Sequence, residues 1–368
     1  MLYRPVLWLT NKYSTDPDPK RVRESLTKLY QKLSANPVIE LTEDKSFIVF
    51  SDLHKGAKDG ADDFALAEAN YLFALDYYLK KDYTLIHLGD VEELWENTLA
   101  AVKKNNPKTL EAENRFVKQN RLIKLFGNHD IYWTNDPLSG LQLKLMYGNI
   151  KVLEGLLIRK HVNKGKLDIF LTHGHQGDGQ SDGNVFSAWF VSNIWAPLQS
   201  FLSINFNTPA NDHALKTLHN RLMYEWSASQ ENVLLITGHT HQPVFTSMTF
   251  LENLYLRLEK AKKSNDETLV AGIQQQIGKA WKSEPPQKIK SFEFKPSYFN
   301  SGCCCFSDGD ITGIELTAKS ICLIKWEYDQ HGRPLRKELD TIGWEELFEK
   351  LLHYTEEIKP PNGGIAVA

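Results

Sequence analysis

Long apolar runs are absent from the sequence. Its 368 residues contain no uninterrupted apolar run of about 18 residues, which is the length that a membrane-spanning helix needs. The opening stretch, Met1 to Thr10, also lacks the long apolar region and the small-residue cleavage site of a secretion signal. We therefore expect a cytoplasmic protein without a transmembrane segment, while a peripheral membrane contact stays open.

An excess of either charge is also missing. The chain carries 43 Lys and Arg residues against 46 Asp and Glu residues, which gives a net charge of -3. No sequence-wide positive field would therefore hold a nucleic-acid backbone, and nucleic acid is disfavoured as a partner. The hydrophobic share of 42% and the charged share of 24% are typical of a globular chain with a sizeable buried core.

Cysteine is scarce. The chain has four, Cys303, Cys304, Cys305 and Cys322, and three in a row fit neither a disulfide framework nor the spaced pairs of a zinc ribbon. We expect reduced, buried thiols that pack as small hydrophobes, and a redox or ligand role stays open as the alternative. In a strand, Cys303 and Cys305 would share one face and Cys304 the other.

What the sequence does have is a repeated local pattern, a short apolar run followed at once by a turn rich in Gly, Asp, Asn and His. Helical patterns such as 63–79 separate the early runs, which predicts strands and helices alternating around a mainly parallel sheet. In such sheets the ligand site lies beyond the carboxyl ends of the strands, so the polar turns should gather there. The five turns are Asp52-Leu53-His54, Gly89-Asp90, Gly127-Asn128-His129-Asp130, His173-Gly174-His175 and Gly238-His239-Thr240-His241.

These turns contain the ligand types of a two-metal site. Two cations about 3.5–4 Å apart need a carboxylate to bridge them, with imidazole, carboxylate and amide groups around the outside. Such mixed nitrogen and oxygen ligands accept manganese, iron, zinc, cobalt or nickel, so the identity of the two divalent ions stays open. The candidate metal ligands are Asp52, His54, Asp90, Asn128, His173, His239 and His241.

The series DxH, GD, GNHD, HGH and GHTH, in this order, resembles the calcineurin-like metallophosphoesterase superfamily over about 47–244. The resemblance implies an α/β fold, an α/β/β/α sandwich with helical insertions. It also implies that Asp90 bridges the two metals and that His129 is the proton donor to the leaving oxygen or a stabiliser of the transferring phosphoryl group. Asp130 would then orient the His129 imidazole. One metal would be held by Asp52, His54 and His241, and the other by Asn128, His173 and His239.

The activity implied by this resemblance is metal-dependent hydrolysis of a phosphomonoester or phosphodiester, by a hydroxide that bridges the two metal ions. One alternative is an enzyme like the UDP-2,3-diacylglucosamine pyrophosphohydrolases, which act on a lipid-linked substrate and also have a helical lid between the corresponding motifs. That branch typically has Arg where this chain has His129. A second alternative is a non-catalytic binding module on the same fold, and the near-neutral charge disfavours a nuclease.

The organisation expected from these patterns is one catalytic domain with additions. Residues 1–45 form an N-terminal extension with a helix near 21–33, and residues 46–368 form the metallophosphoesterase domain. Helical insertions are expected at about 184–226 and 251–282. The first is rich in aromatic residues and could fold over the metals, pack on the sheet, or form a wall for a lipid or aromatic substrate. The oligomeric state stays open.

The remaining histidines divide by their surroundings. His175 either contacts a metal ligand or the substrate phosphate, or it packs without a direct role. His87 lies inside an apolar run and is expected to be a core histidine. No motif surrounds the others, which we assign to the surface: His161, His213, His219, His331 and His353.

Overall fold

The computed structural model describes residues 17–59, 62–177, 213–263, 266–280 and 294–357. The aromatic stretch 186–206, predicted to be a lid or a packing element, lies outside these residues. In chain order the strands are β1 (Ile39–Glu40), β2 (Phe47–Phe50), β3 (Thr84–Leu88), β4 (Leu122–Leu125), β5 (Val152–Leu153), β6 (Gly155–Val162), β7 (Gly165–Thr172), β8 (Val233–Thr237), β9 (Val244–Phe245), β10 (Met248–Thr249), β11 (Tyr298–Asn300), β12 (Ile311–Leu316), β13 (Ser320–Tyr328) and β14 (Pro334–Gly343). The helices are α1 (Pro19–Ser34), α2 (Phe64–Lys80), α3 (Leu99–Asn105), α4 (Pro107–Val117), α5 (Tyr132–Asn135), α6 (Ser139–Tyr147), α7 (His213–Ser229), α8 (Phe250–Lys263), α9 (Glu267–Ala280) and α10 (Trp344–Glu357).

The strands form two mixed sheets of seven strands each. The first has the spatial order β14-β13-β12-β2-β3-β4-β5, in which β2 to β5 are parallel and β12 to β14 are antiparallel. The second has the order β1-β6-β7-β8-β11-β9-β10, with parallel pairing between β7, β8 and β11. The early strands pair in parallel as predicted, but both sheets are mixed rather than mainly parallel, because apolar runs predict strands without specifying which strands pair.

The sheets pack face to face, and helices cover their outer faces. Val49 and Ile86 of the first sheet share one buried cluster with Ile169 and Ile236 of the second. The strand β8 is buried at all five positions, as its continuous apolar sequence predicts for a strand covered on both faces. This arrangement confirms the predicted α/β/β/α sandwich.

Helix α1 packs on the outer face of the second sheet. It begins where the Asp18 carboxylate accepts a hydrogen bond from the Lys20 backbone N–H, with Pro19 as its first residue. Leu26 and Leu29 lie in a buried cluster with Phe170 of β7 and Trp226 of α7. The helix predicted near 21–33 is therefore present and forms part of the helical layer.

The second predicted insertion is a pair of helices, α8 and α9. Their contact contains its own buried apolar cluster, which includes Leu254, Leu258, Ile273 and Ile277. The helical structure predicted at about 251–282 is present in these two helices. No helix among the described residues has the length and apolar character needed to cross a membrane.

The three consecutive cysteines lie in the loop between β11 and β12. Cys303, Cys304 and Cys305 are all buried, which confirms that they pack inside. The strand expected for them ends at Asn300 instead. The loop backbone is held by other partners, since the Cys304 N–H donates to the Asp52 carbonyl (3.1 Å) and the Thr312 N–H donates to the Cys303 carbonyl (3.0 Å).

Candidate metal centre

The five polar turns follow the carboxyl ends of β2, β3, β4, β7 and β8, and their side chains come together between the two sheets. Five residues in these turns have left-handed backbone conformations, with φ between 51° and 68°: Asp52, His54, Asp90, His239 and His241. Such conformations cost free energy in residues other than glycine, and they cluster at functional sites. All five belong to the seven predicted metal ligands.

One group of side chains contains Asp52, His54 and His241. The Nε2 atoms of His54 and His241 lie 3.1 Å apart. The Oδ1 atom of Asp52 is 3.3 Å from Nε2 of His241 and 4.0 Å from Nε2 of His54. These three side chains therefore direct their ligand atoms toward one another.

A second group contains Asn128, His173 and His239. Nε2 of His173 lies 3.2 Å from Oδ1 of Asn128, and the rings of His173 and His239 have their centroids 5.2 Å apart. Nε2 of His239 is buried and has no hydrogen-bond partner among the described residues. Burial lowers the pKa of this imidazole well below its usual value, and His219 and His173 add to the effect. A neutral ring with a free nitrogen lone pair is the form of histidine that binds a metal.

Asp90 belongs to both groups. Its Oδ2 atom is 3.0 Å from Nε2 of His173 and 4.0 Å from Nε2 of His54. The ligand atoms of Asp90, His173 and His239 all lie within 4.8 Å of one another, and so do those of Asp52, His54 and Asp90. A shared carboxylate between two ligand sets is the arrangement that a pair of neighbouring cations requires.

The residues fit divalent metal ions on two grounds. Bonds of about 2.0–2.2 Å from a metal to nitrogen or oxygen place neighbouring ligand atoms about 3–3.5 Å apart, and the closest contacts in the two groups are 3.0, 3.1, 3.2 and 3.3 Å. In addition, a buried imidazole nitrogen without a partner would be costly unless a ligand satisfied it. Nε2 of His239 is such an atom.

Glycines allow the turns to approach one another this closely. A Cβ atom at Gly127 would lie 2.2 Å from Oδ1 of Asp90, and one at Gly238 would lie 2.4 Å from Oδ2 of Asp52. Both distances are far below any real contact, so neither position accepts a side chain unless a predicted metal ligand moves. The short polar motifs therefore need glycine beside the ligand residues.

The carboxylates make this region favourable for positive charge. Burial raises the pKa of Asp90, but His173 and His129 outweigh that effect and hold it well below the usual value. Burial likewise opposes a charge on His173, yet Asp90 and Asp52 raise its pKa to about 9. Opposite charges thus stabilise each other across the site, and a bound cation would take the place of the proton on His173, because the neutral ring is the form that binds a metal.

Glu93 is a residue of the site that sequence reasoning missed. Its Oε2 atom lies 2.8 Å from Nδ1 of His54 and 2.7 Å from Nδ1 of His129. Burial raises the pKa of Glu93, but His129 and His54 outweigh burial and lower it to about 2. The only signal in the sequence was an acidic pair, Glu92 and Glu93, directly after the Gly89-Asp90 turn.

The role expected for Asp130, orienting the His129 ring, is corrected by the structure. The Asp130 carboxylate accepts hydrogen bonds from the backbone N–H groups of Gly127 (2.6 Å), Val91 (2.9 Å) and Asp90 (3.3 Å). It therefore ties the turn after β4 to the turn after β3. The carboxylate next to the His129 ring is Glu93, because adjacent side chains in this tight turn point in different directions.

Trp95 and Asp90 fix the rest of the His129 environment. The Trp95 indole stacks on the imidazole with ring centroids 4.0 Å apart and an angle of 19° between the planes. Its Nε1–H donates to the carbonyl of Asn128 (2.7 Å), and the backbone N–H of His129 donates to Oδ1 of Asp90 (2.7 Å). The imidazole is thus held on its Nδ1 edge and on one face.

Behind the turns lies a buried ionic cluster formed by Lys55, Glu92, Glu113 and Lys124, whose side chains are all fully buried. Nζ of Lys124 is 2.7 Å from Oε2 of Glu92 and 3.9 Å from Oδ2 of Asp130. Nζ of Lys55 is 2.9 Å from Oε1 of Glu113 and 3.3 Å from Oε1 of Glu92. The cluster therefore reaches the carboxylate that joins the two turns.

The other histidines are placed mostly as predicted. His87 is fully buried and its Nε2 lies 2.8 Å from the Tyr71 hydroxyl, as expected for a core histidine. His175 is buried beside His173, and burial together with the His173 charge lowers its pKa to about 3. His219 was wrongly assigned to the surface, because it is buried with its ring 5.0 Å from that of His239. The side chain of His213 lies outside the described side chains, and the three others are exposed: His161, His331 and His353.

Comparison with known proteins adds a family match. The model of the calcineurin-like phosphoesterase family matches residues 45–243, which contain all seven predicted ligands. No curated protein matches the sequence significantly.

Solved structures give only distant matches. Vacuolar Protein Sorting 29 from Cryptosporidium parvum is 13% identical, with 81% of this chain and 98% of that chain covered and a TM-score of 0.31. A predicted phosphoesterase from Streptococcus pneumoniae is 14% identical (80% and 97% covered, TM-score 0.28). A putative 5'-nucleotidase from Staphylococcus aureus is 12% identical (84% and 58% covered, TM-score 0.31).

Proposed function

Because the chain belongs to the calcineurin-like phosphoesterase family, we propose that it hydrolyses phosphoesters at a centre of two divalent metal ions held by the seven ligands. Membership makes it a metal-dependent hydrolase that acts on phosphoesters. The observation that carries the two-metal assignment is the position of Asp90, which lies in both groups of ligand atoms. A site for one ion would not need a carboxylate shared between two sets.

In this proposal Asp52, His54 and His241 hold one ion, and Asp90 bridges. The other ion is held by Asn128, His173 and His239. The contacts within each group, at 3.0–3.3 Å between the closest ligand atoms, support this division. When bound, the two ions would lower the pKa of a water that acts as the nucleophile, and they would neutralise the charge that develops on the phosphoryl oxygens.

His129 supplies the proton in the proposed reaction. Burial opposes a charge on this imidazole, but Glu93 and Asp90 outweigh burial and raise its pKa to about 9. The Glu93 carboxylate on the Nδ1 side therefore favours the protonated ring. Nε2 is left as the atom that donates to the leaving oxygen or to a phosphoryl oxygen. Glu93 and Trp95 hold the ring in place for that transfer.

The test is a hydrolysis assay with manganese on p-nitrophenyl phosphate and bis-p-nitrophenyl phosphate, together with metal analysis. Asp90→Asn should lose both hydrolysis and bound metal. His129→Gln should keep the metal but lose about 10²–10⁴-fold in kcat, the usual contribution of a positioned acid or base. His161→Gln is the matched control, since this histidine is 70% exposed on β6. Full activity of both site variants would refute the proposal.

The choice of model compound separates monoesterase from diesterase activity. A diphosphate diester carrying a lipid group should be added to the panel, because the lipid-linked alternative predicts preferential cleavage of that compound.

We also propose that residues 46–368 form the catalytic domain, with the N-terminal segment attached through α1, and that the protein acts in the cytoplasm. Limited proteolysis and cell fractionation test these two points.

A further inference from the structure

The two nitrogens of the His241 ring face different surroundings. Nε2 faces the proposed metal ligands, at 3.3 Å from Oδ1 of Asp52 and 3.1 Å from Nε2 of His54. Nδ1, on the other side of the ring, lies 3.7 Å from the Sγ atom of Cys305. The imidazole therefore has proposed metal ligands beside one nitrogen and a thiol beside the other, and the same sulfur lies within 4.8 Å of a His54 nitrogen.

Two other proposed ligands have the same two-sided arrangement with different partners. Nδ1 of His54 lies 2.8 Å from a Glu93 carboxylate oxygen, and Nδ1 of His173 donates to the Leu88 carbonyl at 2.9 Å. A partner that accepts the N–H on one side of an imidazole leaves the other nitrogen unprotonated, fixes the ring orientation and raises the basicity of the ligand nitrogen. Cys305 has the corresponding position for His241, and its neighbour Cys303 interacts with both side chains. Sulfur accepts hydrogen bonds, though weakly.

The position of the Cys305 thiol is set by the turn after β2, which carries Asp52. The loop that contains the three cysteines is joined to that turn by the Cys304 N–H, which donates to the Asp52 carbonyl (3.1 Å). Ser51 and Ser301 are linked by their hydroxyls at 2.7 Å. Cys305 is only 8% exposed, so water does not readily replace the sulfur beside the ring.

We propose that Cys305 is a positioning residue for His241, accepting the Nδ1 proton so that Nε2 binds a divalent cation. The proposal rests on the two-metal function proposed above and adds a partner specific to this chain. Removal of the sulfur should lower the affinity for the ion that His241 holds and leave the affinity for the second ion unchanged. The neighbouring Cys304 offers a matched control, because it is fully buried and its Sγ lies 3.8 Å from the Thr312 carbonyl.

The experiment measures binding of manganese and of cobalt to the full chain by competition with a chelator. Cys305→Ala should lower the affinity of one of the two ions by about 10–100-fold, the usual effect of losing such a partner. Cys305→Ser should bind close to normally, since a hydroxyl can also accept from Nδ1. Cys304→Ala should bind both ions as the unaltered protein does.

Two outcomes are decisive against the proposal. Equal cation affinities in Cys305→Ala and Cys304→Ala would remove the role of the sulfur. A sulfur-to-cobalt charge-transfer absorption in the unaltered protein would show direct ligation instead. The cobalt spectrum needs no variant, so it tests the idea even if Cys305→Ala does not fold. By contrast, failure of the unaltered protein to bind two ions would overturn the proposed function itself.

Discussion

The buried ionic cluster behind the metal site gives a sharp prediction about stability. Glu92 lies with Oε2 at 2.7 Å from Nζ of Lys124 and Oε1 at 3.3 Å from Nζ of Lys55, and all three side chains are fully buried. Glu92→Gln keeps the size of the side chain and removes its charge. Lys124 is then left with Asp130, whose nearest oxygen is 3.9 Å away.

The expected loss is about 3–5 kcal/mol in the free energy of unfolding, because removing one partner of a buried ion pair leaves an uncompensated buried charge. Glu346→Gln on helix α10 provides the comparison. Its i,i+4 pair with Lys350 is exposed (61% and 56%), and such surface pairs contribute about 0–1 kcal/mol. Urea unfolding of both variants and the unaltered protein, with and without manganese, measures the two losses.

The dependence on pH provides a second check of the same idea. Burial raises the pKa of Glu92, but Lys124 and Lys55 outweigh burial and lower it. A carboxylate with a depressed pKa stabilises the fold above its unfolded pKa of about 4.3, and the stabilisation is lost as the pH falls through the folded value. The difference in the free energy of unfolding between the unaltered protein and Glu92→Gln should therefore reach its whole value near pH 7 and shrink below pH ~4. A loss under about 1 kcal/mol at pH 7, or one that does not shrink in acid, would refute the reasoning.

Three further predictions concern the metal site. Glu93→Gln should weaken binding of the ion held by His54 by about 10–100-fold, measured by chelator competition, because the partner of the His54 ring loses its charge; unchanged affinity would mean that the contact is incidental. Gly127→Ala should reduce metal content and activity by at least about tenfold, since its Cβ would lie 2.2 Å from an Asp90 oxygen. The control is Gly140→Ala, whose Cβ would have open space around it, so that activity should be unchanged and stability unchanged or higher. Removal of divalent ions with a chelator should abolish hydrolysis, and activity should return on adding manganese; activity that persists would contradict the metal requirement.

The sequence could predict which polar side chains come together, because their positions follow from local rules. Each lies within a few residues of the end of an apolar strand, and the carboxyl ends of such strands meet at one edge. Asp90 follows β3 of the first sheet and His173 follows β7 of the second, and the packing of the two sheets brings these residues, 83 positions apart, to 3.0 Å. The family match over 45–243 agrees with the extent of these motifs.

The features that the sequence did not predict depend on side-chain direction or on long-range pairing. Asp130 follows His129 directly, yet its carboxylate turns back to the backbone of Gly127 and Val91. Glu93 looks like any acidic residue until the turns after β2 and β4 bring His54 and His129 to the same oxygen atom. His219 lies on helix α7, and its ring packs against that of His239, 20 positions away. No sequence pattern links these two residues.

Glu93 also connects two parts of the proposed reaction that are usually treated separately. One of its oxygens lies within 2.8 Å of Nδ1 in both His54, a proposed metal ligand, and His129, the proposed proton donor. The two rings are nearly perpendicular, with centroids 4.6 Å apart, and the Glu93 oxygen lies beside the Nδ1 atom of each. A change of charge on either ring alters the field at Glu93 and therefore at the other ring. We therefore expect metal binding at His54 and proton donation from His129 to be coupled through a single buried carboxylate.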